Sequence, residues 1–202
     1  MFATRHAWLV AALLGALALV AESVSSTTWL KPGAERSPFS WAAALAILLA
    51  AVCAALLARH GRSGLRLLLA LALLFVALDE ALGFHERFAD DLDARKFSLA
   101  WPTVAAAGEA VLLVVAGLLL ALEARSKRET PLVVAGVLLL AAALAARFGG
   151  AVLIGLHHFP AGGIRRTGEA TAHGAALSGW ILVAAGLLTS LREPRAVPRK
   201  GG

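Results

Sequence analysis

The stretch Phe39–Ala58, FSWAAALAILLAAVCAALLA, decides the fold. It carries no charged side chain and ends at Arg59-His60-Gly61-Arg62. About twenty apolar residues in a helix rising 1.5 Å each cover the roughly 30 Å of a bilayer's hydrocarbon core. Five further runs flank it, at about Ala7–Ala21, Leu65–Gly83, Pro102–Leu122, Pro131–Leu156 and Gly168–Leu191. The chain is 59% hydrophobic and 16% charged, with a mean hydropathy of +0.78. Soluble domains are less apolar and more charged. The expectation is an all-α protein, a polytopic transmembrane bundle of six spans over residues 1–191. A disordered basic tail follows over 192–202.

The first run has the look of a secretory h-region. The five spans after it favour an uncleaved helix. Glu22–Pro38, with Pro32, Gly33 and Pro38, reads as a loop. Pro131 suits a first helical turn. Gly149-Gly150 reads as a break or thin point in the fifth span. His157, His158, Pro160, Gly162 and Gly163 read as the loop before the sixth. The single cysteine, Cys53, lies in an apolar run and can form no intramolecular disulfide.

The net charge is +6. The basic residues sit in short loops and at the C-terminus, as topology signals and anchors to anionic lipid. No basic stripe with interleaved aromatics appears, which argues against nucleic acid. Arg5, Arg59, Arg62, Arg66, Arg125, Lys127, Arg128, Arg192, Arg195, Arg199 and Lys200 mark one side of the membrane. They outnumber the basic residues of the other side, so both termini are expected in the cytoplasm. Trp8, Trp29, Trp41 and Trp101 fit interfacial belts, whereas Trp180 is mid-span.

Against this background, Asp79, Glu80, Glu109, Arg147, Glu169 and His173 interrupt or edge apolar runs. Ionisable groups inside a bilayer are costly and are functional-site candidates by default. By helical rise, Asp79 lies about 20 Å above Arg66, and Arg147 about 24 Å above Pro131. Glu109 lies about 10 Å below the outer surface by the same rise. Glu169 and His173 open the sixth span, and Glu22 ends the first on the same side. All these charges belong to the outer half, and the inner half reads as apolar. A channel or proton path needs polar groups through the full thickness. A cup open to the extracytoplasmic side does not.

Asp79 and Glu86 are two turns apart and share a face with Gly83. Glu80 points about 100° away, and His85 lies on a third face. The alternative for His85 and Glu86 is a solvated helix end. Glu169 and His173 stand at i and i+4, a spacing that lets two side chains converge on one metal ion. The alternative is a Glu near the helix N-terminal dipole and an interfacial His. Glu109 must be neutral or paired across helices. Arg147 stays charged and calls for a carboxylate partner. That makes a structural ion-pair network the bland explanation of the cluster. One arginine cannot neutralise Asp79, Glu80, Glu109 and Glu169 together, so protons, a metal ion or a cationic substrate are expected. His157 and His158 are a solvated loop pair or an outer ligand.

Leu78-Asp79-Glu80 followed by His85-Glu86, with Gly168-Glu169-Ala170 opening a later helix, resembles uncharacterised bacterial multi-pass membrane proteins. The resemblance covers two short stretches and implies a bacterial inner-membrane location, with no activity attached. The outer-half carboxylate/His layout is also similar in kind to alkaline ceramidase-like membrane hydrolases. Those hold zinc with histidines and use nearby acids. They have seven helices, more histidines and a His-x-x-x-His in the last helix, where Glu169 takes the first position here.

The resulting expectation is an extracytoplasmic-facing site of Asp79, Glu86, Glu109, Glu169 and His173. Glu80, His85 and Arg147 support it, with Glu22, His157 and His158 at its margin. It would bind a proton or a divalent metal, zinc or similar. In enzymatic form it would hydrolyse a lipid-derived substrate, with metal-activated water and a carboxylate base. The alternatives are a proton- or cation-coupled carrier of a small solute and a non-enzymatic membrane subunit. The sequence does not decide between them, and leaves the oligomeric state open.

Overall fold

The computed structural model describes residues 2–24, 37–61, 63–82, 114–119, 130–157 and 161–192, and all secondary structure among them is helical. The helices are α1 (Phe2–Val24), α2 (Pro38–Gly61), α3 (Gly64–Leu82), α4 (114–119), α5 (Thr130–His157) and α6 (Ala161–Arg192). Among the described residues two stretches are long and apolar enough to cross a membrane: Pro38–Gly61, of 24 residues, and Ala170–Leu191, of 22. His6–Ala21 and Pro131–Ala146 are shorter apolar helices. α3 has 19 residues and carries Arg66, Asp79 and Glu80.

Two boundaries differ from the sequence expectation. α5 runs unbroken through Gly149-Gly150 to His157. Two glycines cost a helix about 1 kcal/mol each, while a buried amide left unbonded costs about 2–7 kcal/mol, so an apolar setting keeps the ladder intact. α6 begins at Ala161 rather than Gly168, so Gly162 and Gly163 belong to the helix and not to the loop.

Helix starts follow from capping chemistry. The Ser40 amide donates to Ser37 Oγ at 3.1 Å and the Trp41 amide to the Ser37 carbonyl at 3.1 Å. Pro38 fills the first turn of α2, where a missing N–H costs nothing. Ser63 begins α3 in the same way, accepting from the Arg66 amide at 3.4 Å.

α6 is the hub. It packs against α5, α1 and α2, and α3 packs on α2. Small residues set these distances. A Cβ at Gly174 would come within 2.9 Å of the Gly15 carbonyl oxygen, and one at Gly15 would overlap the Ser178 hydroxyl. Ser178 Oγ also donates to the Ala11 carbonyl at 2.9 Å, so α1 and α6 run antiparallel in a fixed register. The α5 contact follows the same logic. Gly136 meets Gly179 and Val183, Gly186 meets Val133, and Gly168 meets the Ala146 carbonyl. This is the small-residue packing that lets helix backbones approach where apolar burial alone does not discriminate.

The main core joins Ile47, Ala50, Ala54 and Leu57 of α2 with Leu69, Leu73 and Ala77 of α3, Ala116 and Leu119 of α4, Val133 and Leu140 of α5, and Trp180, Val183 and Leu187 of α6. A smaller cluster sets Ala18 beside Ala43 and Leu177, which brings the start of α2 to the Gly15/Gly174 end of the bundle. Trp180 is 4% exposed and fills the core, whereas Trp8 and Trp41 are 44% and 50% exposed. That accounts for the one tryptophan that did not fit a belt.

Candidate functional site

On α1, α3 and α5 the buried residues form a stripe that can be followed along the helix, whereas α6 is buried on most of its sides. On α1, Ala11 and Ala18 are buried and Gly15 abuts α6. The next residue of that i, i+4, i+7 series is Glu22. On α3, Leu69, Leu73 and Ala77 are buried. Glu80 stands two turns beyond Leu73, within about 20° of it around the axis. On α5, Val133, Leu140 and Ala143 are buried and Gly136 faces Gly179. Arg147 is the next position, two turns beyond Leu140. On α6, Trp180, Ala184 and Leu187 are buried. His173 stands two turns before Trp180, and Glu169 one turn before His173. By helical spacing alone, the next position in the series of α1, α3 and α5 is Glu22, Glu80 and Arg147.

The interhelical register places several of these at one level. Gly15 lies against Gly174, and Ala146 against Gly168. Continued along antiparallel helices, this sets the backbones of Glu22, Arg147 and Glu169 within a few ångströms of one height, and His173 about 6 Å inward at 1.5 Å per residue. Glu80 closes α3, two residues before its end at Leu82. α3 and α6 share α2 as a neighbour. α3 runs opposite to α2, with Arg66 Nη1 donating to the Leu57 carbonyl at 3.3 Å near the far end. Glu80 thus rises toward the end of the bundle where α2 starts.

The two carboxylates of α3 lie on different faces of the helix. Both Asp79 and Glu80 are partly buried. Asp79 is turned about 100° from Glu80, toward the flank that carries exposed Leu68. Glu80 continues the buried stripe. His173 is partly buried, between buried Ala172 and Gly174. Among the described residues no group of three or more His, Cys, Asp or Glu is placed to hold a metal ion. His85, Glu86, Glu109 and His158 lie outside the described residues, as do the side chains of Glu22, Arg147, His157 and Glu169. His157 is the last residue of α5.

Below this layer the described interior is apolar. Ser37 is the one fully buried polar residue among those described, and it is consumed in capping α2. The sequence reading missed Ser178 as a packing residue. The signal was present as Ala11-x-x-x-Gly15 and Gly174-x-x-x-Ser178, two small-residue pairs at helical spacing.

A family model described as "Domain of unknown function (DUF8692)" matches residues 6–191. No curated protein and no solved structure matches the chain.

Proposed function

Since the chain belongs to the DUF8692 family, whose function is unknown, we propose its function from its own helices: an integral membrane protein with a cation site at the extracytoplasmic end of its bundle. In this reading the six helices all span the bacterial inner membrane and both termini are cytoplasmic. The site is built on Glu169 and His173, with Glu80 and Glu22 beside them and Arg147 as counter-charge. Asp79, Glu86 and Glu109 contribute from its edge. It takes a divalent metal such as zinc, or protons. In enzymatic form the metal would polarise a carbonyl or phosphoryl group of a lipid-derived substrate and activate water, with a free carboxylate as base.

The observation that carries the reading is the ending of the inward stripes. Residues that continue a buried stripe face the bundle interior, and an ionisable residue there needs a partner, a proton or a metal. The apolar core beneath them favours a one-sided cup over a conduit. The i, i+4 pair Glu169/His173 supplies the spacing for two ligands to one ion.

The test is metal analysis of protein purified without chelator. The metal form expects a stoichiometric divalent ion that Glu169→Ala and His173→Ala both remove. Metal-free wild-type protein would sink that form and leave the proton form. The proton form requires a pH-dependent property that Glu169→Gln abolishes.

One observation favours a second reading. Ala146 against Gly168 on antiparallel helices sets the backbone of Arg147 level with Thr167, about 3 Å along the axis from Glu169, a separation that a long arginine can bridge as a structural ion pair. Removing one partner of a buried pair costs about 3–5 kcal/mol because the other charge is left uncompensated. Under this reading Arg147→Met collapses folding, the double variant Arg147→Met/Glu169→Gln recovers it, and metal content is irrelevant.

A further inference from the structure

We infer that α1 is a strap on the candidate site: its seating on α6 holds the Glu169–His173 turn in shape, so that α1 seating and cation binding strengthen one another. The inference rests on the cation-site reading above. On α6 the positions Glu169 and His173 are bracketed by two glycines, Gly168 and Gly174. Both glycines are held from outside the helix. A Cβ at Gly168 would lie 3.3 Å from the Ala146 carbonyl oxygen of α5, and one at Gly174 would lie 2.9 Å from the Gly15 carbonyl oxygen of α1. Glycine restrains a helix least of all residues, so the shape of the turn between them follows these two contacts. One end of the turn is set by α5 and the other by α1.

The two grips differ in strength. α5 also meets α6 through Gly136, Gly179 and Gly186, and its Val133 and Leu140 belong to the main core. α1 contributes no residue to that core among those described. Its buried side chains are the small Ala11 and Ala18, while Trp8, Leu9, Leu13 and Leu17 are exposed. Its main packing partner among the described helices is α6, to which the Ser178–Ala11 hydrogen bond ties it. Elements with few buried apolar contacts open most readily. α1 is therefore the contact that can loosen while α2, α3, α5 and α6 stay packed. A cation that takes both ligands of the i, i+4 pair needs their spacing fixed, and so binds the seated form more tightly. By linkage it favours seating by the same factor.

The experiment measures zinc affinity and α1 seating on the full-length protein in detergent. Seating is read from the rate at which a membrane-permeant maleimide labels an Ala18→Cys variant, a position 0% exposed, with the native thiol removed by Cys53→Ala. Saturating zinc is expected to slow this labelling about tenfold, within the usual range of coupling between sites. Gly15→Leu places a side chain where even a Cβ overlaps the Ser178 hydroxyl. It is expected to speed labelling and to weaken zinc binding by about the same factor, since coupling is reciprocal. Gly117→Ala, which meets only an ordinary contact, should change neither. A helix with a merely structural role would not respond to zinc, so the labelling rate decides even where Gly15→Leu fails to fold. Zinc bound by the wild-type chain with labelling at position 18 unchanged would overturn the strap, as would wild-type zinc affinity in a faster-labelling Gly15→Leu. A wild-type chain that binds no zinc would overturn the metal site itself and the strap with it, a failure seen before any variant is made.

Discussion

Replacing Gly136 by alanine tests the α5–α6 contact most directly. A Cβ at Gly136 would lie 2.7 Å from the Gly179 carbonyl oxygen, 2.8 Å from Val183 Cγ2 and 3.0 Å from the Val183 amide nitrogen. Two of these three are backbone atoms of α6, which cannot swing aside as a side-chain tip can. Ordinary carbon contacts sit near 3.5–4.0 Å, so the helices must separate by several tenths of an ångström along this seam. Overpacking of this kind costs about 1–3 kcal/mol. Alanine returns about 1 kcal/mol of helix propensity over glycine, leaving a net loss of about 0–2 kcal/mol. Gly117 is the matched control. Its Cβ would meet only Val137 Cγ1, at 3.6 Å, an ordinary contact. Gly117→Ala should therefore gain roughly the 1 kcal/mol of propensity. The measurement is reversible unfolding in mixed micelles, followed by tryptophan fluorescence. The expected gap between the two variants is about 1–3 kcal/mol, roughly a fivefold to 150-fold difference in the folded ratio. If Gly136→Ala is as stable as Gly117→Ala, the close α5–α6 approach is wrong and the register drawn from it falls too.

Four further outcomes can be read in the same assay or beside it. Ser178→Ala removes the hydrogen bond to the Ala11 carbonyl and should cost about 0.6 kcal/mol, the mean for interhelical bonds in membranes; a loss above about 2 kcal/mol would mean α1 is held by more than this contact. Ser37→Ala deletes the α2 cap and should cost about 1 kcal/mol, while Ser37→Asp should keep most of it; equal loss in both would show that the side-chain oxygen is not the cap. Trp180→Ala empties a core position that is 4% exposed and should cost about 3–5 kcal/mol, seen as lost yield of folded protein; a well-folded variant would remove Trp180 from the core. Glu80→Gln should change cation or proton binding more than Asp79→Asn, because Glu80 follows the buried stripe and Asp79 does not; the reverse order in metal content or pH dependence would refute the phase assignment.

The helical class was legible because long Ala/Leu runs admit few other structures. Helix ends were legible where capping chemistry is local, as at Ser37-Pro38 and Ser63. Rise per residue gave each charge an expected depth, since it needs only a start point. Three things were not legible. Gly149-Gly150 reads as a break by propensity, but the cost of unbonded amides outweighs two glycines. The hub role of α6 depends on which faces of Gly174, Gly179 and Gly186 meet partners, and glycine spacing alone does not name the partner helix. The choice between Asp79 and Glu80 needed the buried face of α3. Leu-rich sequence on all sides of that helix left its phase open until Leu73 and Ala77 were seen to be inside.

The placement of charge at the ends of the inward stripes bears on what it is for. Buried ion pairs seldom repay their desolvation, and well-packed apolar residues in their place are often as stable or more so. Fold stability alone therefore does not call for Glu22, Arg147 and Glu169 to stand at one height above a core of leucine, alanine and glycine. Two carboxylates stand level with one arginine, so a pair network restricted to this level does not close electrically. His173, one turn inward on α6, can donate to one of those carboxylates or accept a metal, and its i, i+4 relation to Glu169 suits either role. Beneath His173, α6 passes to Leu177, Trp180 and Ala184, all buried. Among the described residues, this stretch of α6 offers an ion no side-chain ligand. On the proposed reading, a charge that enters at this end returns the same way, which favours binding or catalysis over passage.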